Sequence, residues 1–323
     1  MKLRIFIVSM ISLALLSTGL ISGAEAKPFR LAVILPSSIN DTEWSQSLYE
    51  AFMAIQDEMG KDKFQFVYSE NMWSVADATA AIRDYASEGY DLVIGHGGQY
   101  GTCLIEVAPS FPKLSFAWGT INDTLTDQGI NNVFAYDARA EQGGYVNGVI
   151  AAKLSESKIL GLVNPMEISD CKAYVDGFTA GAKSIDPNVK VKPVWTGSYS
   201  DVALASETAQ TLIKDGADVL SGTSQMCVGA IGVARDKGAL WFGARVDPSR
   251  IAPDNVICSM VYDWTVVFKP MIKAIQSGTS GGKLFELTLA NNGISMVLNQ
   301  LAVDKVLAGN TVQAIIDGKI KIK

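Results

Sequence analysis

The chain has 323 residues, of which 48% are hydrophobic, and it carries a formal net charge of −6 at pH 7. This length suggests two domains, and the apolar content is sufficient for a large core. Because the net charge is negative and the lysines and arginines are scattered, the sequence has no basic patch that would bind a nucleic acid or an anionic membrane. The single histidine, His96, excludes metal sites that need several histidines.

The first 26 residues have the parts of a secretory signal peptide. Lys2 and Arg4 supply positive charge, residues 5–21 are almost wholly apolar, and the Ala-Glu-Ala segment at 24–26 fits a small-x-small cleavage site. A membrane anchor is the alternative, but serine, threonine and glycine dilute the end of the apolar run. The first cysteine is Cys103, so no lipid-attachment site is expected at the cleavage point. We predict cleavage after residue 26 and a periplasmic mature chain.

Short apolar runs alternate with amphipathic stretches along the rest of the chain, which is typical of βα units around a parallel sheet. We therefore predict an α/β fold with two similar, doubly wound parallel-sheet lobes joined by a hinge. The first half has strand patterns at 29–35, 64–68, 91–95, 114–118 and 133–136, and helix patterns at 43–59 and 76–87. The pattern then restarts, with strands at 159–163, 189–194 and 218–221 and helices at 170–184 and 202–214. A further apolar run at 256–261 predicts a buried strand that leads back to the first lobe.

The two halves also correspond in detail. Asp91 opens a strand that leads to Gln99, and Asp218 opens a strand that leads to Gln225 at nearly the same spacing. A duplicated lobe explains this better than the general likeness of βα units, because the offset stays nearly constant over several elements. Two such lobes would face each other across a cleft that closes by a hinge motion.

The duplication predicts how the chain is divided after the signal peptide of residues 1–26. The N-terminal lobe takes residues 27–136 and 259–283, and the C-terminal lobe takes residues 137–258 and 284–323. The chain is then expected to cross between the lobes near Asp137, Cys258 and Leu284.

Ligands of doubly wound sheets bind beyond the carboxyl ends of the strands, and the loops at these positions are rich in aromatic and uncharged polar residues. The aromatic side chains could stack on a planar ligand, and the polar ones could form hydrogen bonds with its edges. Core packing is the alternative for each aromatic, above all for Trp118 at the end of an apolar strand. The first loop has no basic residue, which disfavours a phosphorylated ligand. The candidates are Asn40, Asp41, Trp44, Gln99, Tyr100, Trp118, Tyr199, Gln225 and Asp247.

The sequence has no motif of a nucleotide-dependent or hydrolytic enzyme. It lacks G-x-G-x-x-G after a strand, a P-loop and G-x-S-x-G. His96 could act as a base, but no pairing with a nucleophile is evident. We therefore predict a binding protein with no catalytic residues, no metal site and no cofactor.

The four cysteines do not have the spacing of a zinc site. After export they would enter an oxidising compartment, where disulfides form. Either all four are small buried residues, or Cys171 and Cys227 form a disulfide. Each of these two follows a strand of the second lobe at the start of a helix, which would place both on the rim of the cleft.

Several segments resemble the basic membrane protein family of solute-binding proteins, which serve ABC-type importers. The matching segments include Asn40-Asp41-x-x-Trp44, residues 143–153 (GGYVNGVIAAK) and residues 195–201 (WTGSYSD). The resemblance covers about residues 29–278. It implies the fold of type I periplasmic binding proteins and a cleft without catalysis. It also implies a small-molecule ligand and a membrane permease as partners, and no nucleic acid.

Several family members bind purine nucleosides or free purines, so the resemblance also implies a purine ligand. The stacking aromatic of the family falls on Trp44, and an acidic ligand contact falls on Asp247. Nucleoside-binding members usually have a lysine soon after a Ser-Met-Val strand, whereas this chain has Tyr-Asp-Trp at 262–264. That segment resembles the branch that binds free bases such as adenine, and it adds Trp264 to the candidates. We expect a purine base or purine nucleoside; the alternatives are a sugar or another heterocycle, or a ligand sensor for a membrane partner.

Overall fold

The computed structural model describes residues 27–299 and 304–322, so the predicted signal peptide lies outside the described residues. The first elements in chain order are β1 (Phe29–Ile34), α1 (Trp44–Met59), β2 (Phe64–Ser69), α2 (Val75–Ser87), β3 (Leu92–Gly95), α3 (Gly101–Val107), β4 (Ser115–Gly119), β5 (Val133–Ala138) and α4 (Ala140–Leu154). The next are β6 (Ile159–Asn164), α5 (Ser169–Ile185), β7 (Lys190–Trp195), α6 (Val202–Lys214), β8 (Val219–Gly222), α7 (Cys227–Lys237) and β9 (Leu240–Arg245). The last are β10 (Val256–Tyr262), α8 (Thr265–Gln276), β11 (Leu284–Leu287), β12 (Ile294–Leu298) and α9 (Lys305–Ile316).

The described strands form two six-stranded sheets with the same plan. The first has the order β11-β5-β4-β3-β1-β2, and the second has the order β12-β10-β9-β8-β6-β7. All neighbours are parallel except β12, which runs antiparallel to β10. The matching orders support the predicted duplication, and the predicted fold class of two doubly wound lobes is confirmed.

Strand β1 shows how the apolar runs produce this fold. Its sequence FRLAVI is buried almost throughout, as expected for a strand covered by helices on both faces. Alternate side chains enter different cores, since Leu31 joins the cluster that contains Phe52 of α1, and Ala32 joins the cluster that contains Ile82 of α2. Because successive side chains of a strand point to opposite faces of the sheet, one short segment packs against helices on both faces.

The strand pairing corrects the predicted division of the chain at two places. Strand β10 pairs with β9 as far as Val261, so residues 259–262 belong to the second sheet and not to the first lobe. Strand β11 pairs with β5, so Leu284 lies in the first sheet and the last crossing comes after Leu287. Both errors have one cause, because an apolar run shows that a strand is buried but not which sheet it joins.

The glycine-rich segment at 143–153 has a packing role. It lies in α4, which crosses α5 so closely that a Cβ at Gly144 or Gly148 would overlap the backbone of α5. Likewise, a Cβ at Gly177 or Gly181 of α5 would overlap the backbone of α4. These glycines therefore allow two helices of the second lobe to approach backbone to backbone.

Candidate functional site

A cavity of about 580 Å³ lies between the two lobes, where the carboxyl ends of both sheets face each other. The loops after β1, β2, β3 and β4 line it on one side, and those after β6, β7, β8 and β9 on the other. Its volume falls in the range of small-molecule sites, about 300–1,000 Å³. The side chains that define its chemistry are Glu43, Trp44, Trp73, Gln99, Asp170, Tyr199, Ser224, Gln225 and Arg245.

A buried ion network joins the lobes beside this cavity. Arg245 at the end of β9 donates to Asp170 of α5 through Nε at 3.1 Å and Nη2 at 2.8 Å. Its Nη1 pairs with Glu43, which precedes α1 in the other lobe. Glu43 also accepts a hydrogen bond from the backbone N–H of Ser224 at 2.8 Å. Burial raises the pKa of Glu43 to about 7, although the Arg245 guanidinium acts in the opposite direction.

Backbone strain is concentrated in the loops around the cavity. Nine non-glycine residues of the described chain have positive φ, and four of them line the cavity: Thr120, Ser169, Ser224 and Arg245. Such residues persist only where the surrounding structure compensates for their cost, and they cluster at functional sites. The strain therefore supports the assignment of this cleft as the site.

An aromatic pair closes one side of the cavity across the lobes. Trp73 follows β2 and Tyr199 follows β7, and their ring centroids are 5.8 Å apart. Tyr199 is one of the sequence candidates, whereas Trp73 is not. Trp73 lies in the loop after β2, and the carboxyl end of β2 reaches the same cleft as the ends of the neighbouring strands. The rule that placed the other loops would have placed Trp73 as well.

Trp44 lines the cavity, but its ring already has several partners. It stacks on His96 with the ring centroids 4.2 Å apart, and its Nε1 donates to the His96 carbonyl oxygen at 3.1 Å. The Arg245 guanidinium lies 5.1 Å from its centroid. Burial lowers the pKa of His96 to about 3, so this histidine is a neutral packing partner. Trp44 thus forms part of the cavity wall, and its contacts with His96 and Arg245 hold its ring in place.

The other predicted residues fall into two groups. Gln99, Tyr199 and Gln225 line the cavity together with Trp44. Tyr100 and Trp264 are fully buried and lie outside its lining. The Tyr100 hydroxyl donates to the Met72 carbonyl at 2.9 Å, and the Trp264 Nε1 donates to the Ser47 hydroxyl at 3.0 Å.

Three more candidates are held away from the cavity by local structure. Trp118 is half-buried and packs against Gly101 and a core cluster of the first lobe. Asn40 is exposed on the first loop. Asp41 accepts hydrogen bonds from the backbone N–H groups of Glu43, Ser45 and Gln46 and so holds the start of α1, which is a capping role.

Asp247 borders a second cavity, of about 310 Å³, which Arg245 separates from the first. Its carboxylate accepts hydrogen bonds from the hydroxyls of Ser249 at 2.6 Å and Ser259 at 2.9 Å. The carboxylate of Asp247, which the family resemblance implies as a ligand contact, is therefore already hydrogen-bonded to its own loop and to β10. In the main cavity Asp170 and Glu43 are the carboxylates present, and neither was a sequence candidate.

All four cysteines are free and buried, so the disulfide considered between Cys171 and Cys227 is not formed. Cys171 lines the cavity and accepts a contact from Arg245 Nη2 at 3.2 Å. Among residues 27–299 and 304–322, no group of histidine, cysteine and acidic side chains could hold a metal ion. None of the helices in that part of the chain combines the length and apolarity that a membrane crossing requires.

Comparison with known proteins identifies what this architecture is similar to. The family model described as ABC transporter substrate-binding protein, PnrA-like, matches residues 29–323. A purine-binding protein of Brucella abortus is 30% identical over 239 residues, which span 74% of this chain and 66% of that protein. An ABC transporter nucleoside-binding protein of Lactococcus lactis is 24% identical over 100% of this chain and 99% of its own.

Solved structures show the same fold. A solute-binding protein of an ABC transporter system from Conexibacter woesei superposes with a TM-score of 0.75 at 22% identity, covering 91% of this chain and 98% of its own. Another from Aeropyrum pernix superposes with a TM-score of 0.77 at 19% identity, covering 91% of this chain and 93% of its own.

Proposed function

This chain belongs to the PnrA-like family of ABC transporter substrate-binding proteins, and on that premise we propose that its interlobe cavity binds a purine base or purine nucleoside. Proteins of this family bind a small molecule and deliver it to a membrane permease, and they are not enzymes. The Brucella relative named as a purine-binding protein supports the finer proposal.

The observation that carries the proposal is the composition of the cavity wall. Trp73 and Tyr199 offer aromatic surface to a planar ligand, and stacking of this kind contributes about 1–3 kcal/mol per base. The Gln99 and Gln225 amides can donate to and accept from its edges.

Charge argues for an uncharged ligand. Arg245 is the one basic residue among the described residues that line the cavity, and it is already paired with Glu43 and Asp170. A phosphate group would meet no unpaired cation there, and it would be repelled by two buried carboxylates. The charges that line the cavity therefore favour an uncharged base or nucleoside over a nucleotide.

The test is a thermal shift and calorimetry panel on the mature chain. We expect adenine, hypoxanthine or their nucleosides to raise the melting temperature, because a ligand that binds only the folded state stabilises it by about 2.7 kcal/mol at a hundredfold excess over Kd. Glucose and ribose serve as matched polar controls. A response to the sugars without a response to any purine would contradict the proposal.

We also propose that the chain is exported and loses residues 1–26. The support is the charge, the apolar run and the small residues at the N-terminus. The intact mass of protein released from the periplasm should correspond to a chain that begins at Lys27. A mass that retains residues 1–26 would contradict this cleavage.

A further inference from the structure

Asp170 has one carboxylate oxygen that is bound by the protein and another that is free. The residue lies in the first turn of α5 and lines the interlobe cavity but not the second cavity. Its Oδ2 accepts from Nε and Nη2 of Arg245 at 3.1 Å and 2.8 Å. Its Oδ1 makes no hydrogen bond to any described residue, and it is not one of the unpaired side-chain atoms that the described chain encloses completely. Oδ1 is therefore an acceptor that keeps accessible surface, on a side chain that borders the interlobe cavity.

Glu43, the other carboxylate that lines this cavity, offers no comparable atom. Its Oε1 pairs with Arg245 and accepts from the Ser224 backbone N–H. Its Oε2 is completely enclosed, and the residue also borders a separate space of about 20 Å³. Of the two acids, Asp170 is therefore the one with an oxygen that a molecule in the cavity can reach.

The position of the Asp170 carboxylate is fixed from both sides. Two N–H groups of Arg245 converge on its Oδ2, and the start of α5 places the positive end of a helix dipole beside the negative side chain. The backbone next to it is strained, since φ is +47° at Ser169 and +67° at Arg245. Strain of this kind is retained where it sets the geometry of a site. Oδ1 is thus presented to the cavity in one orientation, as recognition of a ligand requires.

We propose that Asp170 is a specificity-determining residue of the cleft, whose Oδ1 accepts a hydrogen bond from an N–H of the ligand. The inference rests on the proposed function and narrows the ligand to a purine that turns an N–H donor towards α5. A carboxylate oxygen paired with a guanidinium accepts hydrogen bonds and does not donate them. A heterocycle that offers only acceptor atoms would therefore leave Oδ1 without a donor.

The first measurement compares two ligands by calorimetry on the wild-type protein. Adenine carries N–H donors, whereas 9-methylpurine carries none. Adenine should bind about tenfold or more tightly, because a buried carboxylate that loses its donor is costly and a site built for an N–H rejects an analogue without one. If the protein takes only nucleosides, adenosine and purine riboside form the equivalent pair, since the base of purine riboside has no N–H.

The second measurement repeats the comparison with Asp170→Asn. The amide oxygen can still accept from Arg245, but the amide NH₂ then meets the N–H of the ligand, so the preference for adenine should fall by about tenfold. Asp176→Asn is the matched control on the same helix. Asp176 is exposed, pairs with Lys172 at 2.8 Å and does not line the cavity, so the preference should be unchanged although the same charge is removed.

A crystal structure of the wild-type protein with adenine tests the contact if Asp170→Asn does not fold. A nitrogen of adenine should lie within hydrogen-bond distance of Oδ1, about 2.7–3.2 Å. Adenine bound in the cavity with no nitrogen near Oδ1 would overturn the inference.

The outcomes separate the inference from the proposed function. A preference for adenine that survives in Asp170→Asn overturns the inference and leaves purine binding intact. Equal weakening of adenine and 9-methylpurine in Asp170→Asn also overturns it, because Asp170 would then act only by holding Arg245. A wild-type protein that binds the two ligands equally well does the same. A wild-type protein that binds neither adenine nor adenosine overturns both the inference and the proposed function.

Discussion

Two tryptophans at the cleft, Trp44 and Trp73, differ in their surroundings and therefore in their expected roles. Trp44 is 9% exposed and packs on His96 and Trp264, whereas Trp73 is 44% exposed and contacts Tyr199 across the lobes. A ring with free surface can stack on a ligand, and a ring that is already packed supports the wall. We therefore propose Trp73 for the stacking role that the family resemblance implies for Trp44.

For these two residues we predict that one substitution changes the affinity for the ligand and the other changes the stability of the fold. Trp73→Ala should weaken purine binding by about 1–3 kcal/mol, the value of one stacked base, with little change in the free energy of unfolding. Trp44→Ala should lower the free energy of unfolding by about 3–5 kcal/mol, because it empties a packed site. Calorimetry and urea unfolding measure the two effects. Unchanged affinity in Trp73→Ala would remove this residue from the ligand contact.

Among the elements, helices α4 and α5 of the second lobe approach each other backbone to backbone. Gly148 faces the Phe178 carbonyl so closely that no side chain fits between the helices. Gly232 in α7 is also helical, but an added Cβ there would meet nothing within 4 Å. The same residue type therefore has a packing role in one helix and none in another.

This contrast predicts opposite effects of the same substitution. Gly148→Ala should destabilise the protein by about 1–3 kcal/mol through overpacking, because backbone rather than a flexible side chain must move. Gly232→Ala should stabilise it by about 0.5–1 kcal/mol, since alanine is the better helix former and space is free. Urea unfolding of the two variants measures both values. Similar losses of stability in both variants would contradict the close helix approach.

For the whole molecule, the three crossings between the lobes come after β5, after β10 and after β11. Asp137 lies in β5 just before the first crossing, and it pairs in register with Glu286 of β11, just before the last. Burial raises the pKa of Asp137 to about 7, and the nearby carboxylates of Asp170, Glu286 and Glu141 act in the same direction. The hinge region therefore contains an acid that favours its neutral form.

The sign of this shift predicts how stability depends on pH. A carboxyl group whose pKa is raised in the folded state makes its full contribution to the free energy of unfolding below its ordinary pKa of 3.8. That contribution is lost as the pH rises through the folded-state pKa of about 7. Asp137→Asn should therefore melt at a higher temperature than the wild type at pH 8, and the difference should shrink towards pH 5. Thermal unfolding across this range measures it. A difference that does not vary with pH would show that Asp137 is not protonated in the folded protein.

The sequence by itself determined the two lobes and most of the cleft, because apolar periodicity and the internal repeat are local properties. It placed Gln99, Tyr199 and Gln225 at the cavity, since loops at the carboxyl ends of parallel strands share one edge of a sheet. Only the tertiary structure decided that β11 joins the first sheet, that Tyr100 and Trp264 are buried, and that Glu43 pairs with Arg245. The physical reason is distance along the chain. Glu43 and Arg245 are 202 residues apart along the chain. No local sequence pattern indicates that two charged residues at this separation will form a buried ion pair.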